Sequence, residues 1–96
     1  MVTWQLHPET RQEVLSVWGS IPAAKRSDLG RGVKFIGRWH DMAAGCGVLI
    51  ADTNDLGALN RYLGQWSPYM DIQVAPVMDD RESGAIAKKI VADAKK

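Results

Sequence analysis

Val33-Lys34-Phe35-Ile36-Gly37-Arg38-Trp39-His40, then Asp41-Met42-Ala43-Ala44-Gly45, then Cys46-Gly47-Val48-Leu49-Ile50-Ala51: the fold turns on this stretch. The first run alternates with the two-residue period of a half-buried strand. Val33, Phe35 and Trp39 fall on one face, and Lys34, Ile36, Arg38 and His40 on the other. The last run is apolar on both faces, as a central strand should be. The short connection of small residues between them predicts a hairpin.

Working outward from the hairpin, residues 1–6 alternate too, with Val2, Trp4 and Leu6 opposed to Thr3 and Gln5. Pro8 suits a first helical turn. Val14, Leu15, Trp18 and Ile21 mark one helical face, and Pro22 ends the run. Residues 23–32 read as a polar loop in which Gly30 and Gly32 bracket Arg31. Downstream of the hairpin, Thr53 and Asn54 are the expected caps of a second helix. Its stripe is Leu56, Leu59, Leu63 and Trp66, and Ser67-Pro68 stops it. Residues 71–78 read as a fourth strand. Pro76 cannot donate to a ladder, so that strand is predicted to lie at an edge. Asp79, Asp80 and Glu82 open a last helix lined by Ile86, Ile90 and Ala94, with Lys88, Lys89, Lys95 and Lys96 towards its negative end.

Strand, helix, strand, strand, helix, strand, helix is a pair of split βαβ units with an extra C-terminal helix. The expected fold is a single α+β domain over residues 1–96. It is a ferredoxin-like βαββαβ unit on one four-stranded antiparallel sheet, in spatial order fourth, first, third, second. Two helices cover one face of such a sheet. The other face is expected to carry Thr3, Gln5, Ile36, Arg38, His40 and Gln73, joined by Leu49 or Ile50 depending on register. That mixture is too apolar for water and too polar for a dry core. A homodimer packed through the open face, forming a dimeric α+β barrel, is the economical cover. The alternative is a monomer with its C-terminal helix folded over that face.

The totals narrow the function classes. The 96 residues are 46% hydrophobic and 24% charged, the balance of an ordinary globular domain. A formal charge of +1 offers no field for nucleic acid or an anionic membrane. The one basic cluster, Lys25, Arg26, Arg31, Lys34 and Arg38, is broken by Asp28 and reads as a solvated loop. No apolar run approaches a membrane span, and no signal peptide is visible. Cys46 is the only cysteine, so no intrachain disulfide can form. A reducing cytoplasmic location is expected.

Three stretches carry a family resemblance: Val2-Thr3-Trp4 with His7-Pro8-Glu9, then Gly37-Arg38-Trp39-His40-Asp41, then Asp71-Ile72-Gln73-Val74-Ala75-Pro76-Val77. Together they resemble the bacterial family filed as domain of unknown function 3303, over nearly the whole chain. That family is similar to the wider dimeric α+β barrel superfamily, which includes cofactor-free monooxygenases, isomerases, haem enzymes and proteins of no known activity. The resemblance implies the fold and the dimer but no particular reaction.

Arg38 and His40 are the candidate catalytic pair. They lie two apart on one strand and so leave the same face. An arginine fork can hold a carboxylate, phosphate or enolate, and a histidine exchanges protons near neutrality. Trp4, Gln5 and Trp39 join them as candidate ligand-binding residues, the tryptophans as flat walls. Trp18 and Trp66 read as core; Tyr62 and Tyr69 flank Trp66 and could form a rim or a dimer contact. His7 and His40 fall at one end of the sheet, but they lack ligand spacing and no metal is expected. Cys46 reads as an inert thiol whose face depends on the hairpin register. No Walker loop, GxGxxG or GxSxG motif is present, and no cofactor is expected. The leading expectation is a homodimer binding a small aromatic or carboxylated ligand in a pocket at the sheet. The alternatives are a non-catalytic interaction or regulatory module and a cofactor-free monooxygenase or isomerase.

Overall fold

The computed structural model describes residues 1–95. Its strands are β1 (Val2–Leu6), β2 (Val33–Asp41), β3 (Cys46–Thr53) and β4 (Met70–Val74), and its helices are α1 (Arg11–Ser20), α2 (Ala23–Arg26), α3 (Leu56–Leu63) and α4 (Asp80–Ala94). The strands form one antiparallel sheet in the order β2-β3-β1-β4. The two central strands and the edge position of β4 agree with the ferredoxin-like expectation.

The core lies between the sheet and α1 and α3. Val2, Leu29, Leu49, Leu59 and Leu63 make one buried cluster, and Leu6, Val14 and Met70 a second. Burying side chains of this size contributes about 1.5–3 kcal/mol each. Leu29 is only 2% exposed although it sits in the segment read as a polar loop. That segment in fact carries the short helix α2, after which Gly30 and Gly32 take positive φ of 90° and 86°. Such angles favour glycine, and the turns they allow dip Leu29 into the core.

One register feature reverses an expectation. Phe35 pairs with Ala51, but Gly37, not Ile36, pairs with Ile50. Ile36 is the extra residue of a β-bulge, and past a bulge the alternation changes sign. Val33 and Phe35 pack on the core, Arg38 follows Leu49 to that same side, and Trp39 turns outward at 60% exposure. Arg38 and His40 therefore leave the helix-covered face, not the open one.

Other boundaries shift for local reasons. A 3-10 turn at Pro8–Thr10 precedes α1. Asp55 caps α3 by accepting from the Ala58 N–H at 3.1 Å, while Thr53 spends its hydroxyl on the carbonyls of Gly32 and Asp55. Neither Thr53 nor Asn54 is the cap. Leu56 is 61% exposed and drops out of the α3 stripe. Trp66 lies beyond the end of α3, just before a 3-10 turn at Ser67–Tyr69. β4 stops at Val74, so Pro76 lies outside the strand it was expected to mark; Ala75 still donates to the Met1 carbonyl at 2.8 Å.

Beyond Ala75 the chain leaves the body of the protein. Every residue from 76 to 95 is exposed, including all of α4. The molecule measures 56 × 28 × 21 Å with a radius of gyration of 16.7 Å, against about 12.5 Å for a compact chain of this length. The C-terminal helix does not fold over the open sheet face.

Candidate functional site

A cavity of ≈ 80 Å³ lies on the helix-covered side of the sheet. Counting about 10–15 Å³ for each water placed this way, it holds several waters or one small ring. Its floor is Val2, Trp4 and Leu6 of β1 with Leu49 of β3, and its walls are Trp18 of α1, Leu63 of α3 and Trp66. Gly47 makes this floor possible. A Cβ there would stand 2.3 Å from the Trp4 ring and 2.5 Å from the Trp39 carbonyl oxygen, so only a bare backbone lets Trp4 lie across β3. Trp18 and Trp66 meet edge-on at 6.1 Å between centroids. The lining is overwhelmingly apolar, as small-molecule sites usually are.

Two polar side chains reach this cavity from β2. The Arg38 guanidinium is 4.7 Å from the Trp18 ring centroid and 5.2 Å from that of Phe35. Both contacts fall within cation–π range. Its Nη1 donates to the Arg26 carbonyl at 2.9 Å and its Nη2 to the Tyr62 hydroxyl at 3.0 Å. Burial pushes the guanidinium below its ordinary value, and Tyr62 pulls the other way. It remains a cation at any physiological pH. Among the described residues no carboxylate forms an ion pair with it, although Asp41 is among the residues that line the cavity.

His40 stands at the cavity mouth, its ring 5.5 Å from Trp4 and 5.4 Å from Trp18. Burial first, then the charges of Arg38 and Arg26, lower its pKa from the usual imidazole value. It is therefore neutral at pH 7, with one nitrogen a donor and the other an acceptor. Among the described residues neither nitrogen has a hydrogen-bond partner. Arg26 stacks behind Trp18 at 5.5 Å, its buried Nε without a hydrogen bond.

The five candidate residues divide between the two faces. Trp4, Arg38 and His40 come together at the cavity. Trp39 lies outside, its ring over Gly37, where an added Cβ would meet it at 2.6 Å. Gln5 is also outside, donating to the carbonyls of Ala44 and Gly45 and so bracing the hairpin turn. Trp18, Trp66 and Tyr62 belong to the site although sequence reasoning gave the first two to the core and Tyr62 to a rim. Their spacing carries no mark of a cavity; only the gap between α1 and the sheet reveals one. His7 turns away to Asp71, 2.9 Å from its Nε2. Cys46 lies opposite Gln5 in the register, half-buried. Among the described residues no three His, Cys, Asp or Glu side chains stand close enough to hold a metal ion, and no helix is long and apolar enough to cross a membrane.

Comparison with known proteins adds one finding. The family described as domain of unknown function 3303 matches residues 1–91. No curated protein and no solved structure matches the chain.

Proposed function

The chain belongs to the domain of unknown function 3303 family, and we propose that it binds a small flat ligand bearing one acidic group, as a homodimer that shields its open sheet face in a reducing cytoplasm. The observation that carries this reading is the cavity itself: three tryptophans around a space of ≈ 80 Å³, with an imidazole at its mouth and a guanidinium on its wall that, among the described residues, have no hydrogen bond and no ion pair respectively. Aromatic surfaces suit a planar ring. The lone cation favours an anion, because desolvated charge strengthens any pairing it can make. The free imidazole supplies a hydrogen bond that fixes orientation.

The same residues would serve an isomerase or oxygenase, with His40 taking a proton and Arg38 facing an enolate. Two features make binding the better-supported reading. Burial, and after it two guanidiniums, weaken His40 as a base, and among the described residues no carboxylate orients its ring. Titration of intrinsic tryptophan fluorescence tests the proposal, using a neutral aromatic, an aromatic carboxylate and an aliphatic carboxylate. The aromatic carboxylate is expected to quench most strongly and at the lowest concentration. Saturable binding by none of the three would overturn the ligand reading.

A further inference from the structure

Two apolar surfaces of this chain lie bare, and they match each other. The first is the α4 seam. Ile86, Ala87, Ile90, Val91 and Ala94 recur at helical spacing on one side, with Ile86 42%, Ile90 63% and Val91 54% exposed. The second is the open sheet face, where Trp39 is 60% and Ile36 53% exposed, beside outward-facing Val48 and Ile50.

A 15-residue helix with nothing packed against it is marginal in water, because helices in proteins owe most of their stability to a buried face. Here Gly84 and three β-branched residues lower the intrinsic preference further. The Asp79 cap, accepting from the Glu82 N–H at 2.8 Å, offsets only part of this. A partner surface is needed, and among the described residues the chain's own sheet does not provide it, since all of α4 is exposed.

We infer that α4 of each protomer lays its Ile86–Ala94 seam across the open sheet face of a second copy of this chain and receives that copy's α4 on its own face. This rests on the homodimer proposed above and specifies what covers the face: the partner's helix, not the partner's sheet. Dimensions agree. Fifteen residues make a helix of about 22 Å, and four strands span about 14–19 Å. The match is apolar: at about 100° per residue Lys88, Lys89 and Lys95 stand well round the helix from the seam, so the docked side offers Ile86, Ile90 and Val91 to Trp39, Val48 and Ile50. The exchange is two-fold symmetric, so each contact is made twice.

Light scattering on the full-length chain tests the inference with two sets of variants. The unaltered protein is expected at twice 10.6 kDa. Ile86→Glu with Ile90→Glu should weaken the dimer by about 100-fold or more, and so should Trp39→Glu or Val48→Lys on the sheet face. Circular dichroism and cooperative melting verify that each variant is folded. Mixing the α4 double variant with Val48→Lys should restore dimer mass, because one of the two docked helices is then unaltered and the other meets a complementary charge. A dimer that survives the α4 substitutions overturns the exchange alone and leaves a sheet-to-sheet dimer. A dimer lost by α4 substitutions but indifferent to both sheet substitutions overturns it in favour of helix pairing with helix. A chain that stays monomeric at high concentration overturns the exchange and the homodimer together, while ligand titration still judges the cavity.

Discussion

At the scale of single residues, two glycines one strand apart have unequal roles. Gly47→Ala drives a methyl into a tryptophan ring and a backbone carbonyl at once, and backbone cannot swing aside. The expected loss is about 1–3 kcal/mol, read as a lower urea midpoint. Gly37→Ala meets only the exposed Trp39 ring, which can rotate, so the same measurement should register less than about 1 kcal/mol. Arg38→Leu leaves the Arg26 carbonyl and Tyr62 hydroxyl without their donors and is expected to cost about 1–3 kcal/mol. It should also weaken an aromatic carboxylate about 10-fold while sparing a neutral aromatic. His40 offers a direct electrostatic test by proton NMR. Its midpoint is expected below the usual imidazole value, and Arg38→Gln should raise it by removing both a charge and some burial. The sign for stability follows. On acidification the unfolded chain takes the proton first, at about pH 6.5. The stability held above that pH is therefore lost between it and the lower folded midpoint. Arg38 and His40 were legible as a same-face pair because that needs only their spacing of two. Which face they share was not, because Ile36 looks like an ordinary member of the alternation. The one available mark was Gly37, since a glycine inside a strand often flags a bulge.

At the scale of elements, the bulge in β2 should be removable without moving any side chain to the other face. Deleting Ile36 leaves Phe35 opposite Ala51 and Gly37 opposite Ile50 with one residue for one, so Val33, Phe35, Arg38 and His40 all keep the core side. The deletion is expected to keep cooperative melting, observed by near-ultraviolet circular dichroism. The α3 cap gives a second case. Asp55→Ala removes the acceptor for the Ala58 N–H and should cost about 1 kcal/mol. The order of the strands and longer helices was readable, because hydrophobic periods of 2 and 3.6 differ plainly over these lengths, whereas the four-residue α2 is too short to show a period. Boundaries were less so. Thr53, Asn54 and Asp55 are all capping types in a row, and the choice fell to Asp55 once Thr53 bonded Gly32 across the sheet. Leu29 stayed hidden because no periodicity surrounds it; positive-φ glycines, not a pattern, carry it inward.

At the scale of the whole molecule, the small cavity and the projecting helix are separate consequences of one architecture. α1 and α3 cover one side of the sheet and leave a gap among large indoles. Among the described residues nothing in a single copy covers the other side. Ligand binding and assembly should therefore be separable: Ile86→Glu with Ile90→Glu is expected to leave fluorescence titration unchanged while altering mass. The bulge carries one more implication. β2 is a nine-residue strand at a free border, the kind of template on which stray chains accrete into fibrils. Ile36 interrupts that border after Phe35, so an intruding segment finds only short, mutually misaligned rows of amides to zip against. The irregularity that swings Arg38 inward thus also serves as a guard against runaway polymerisation.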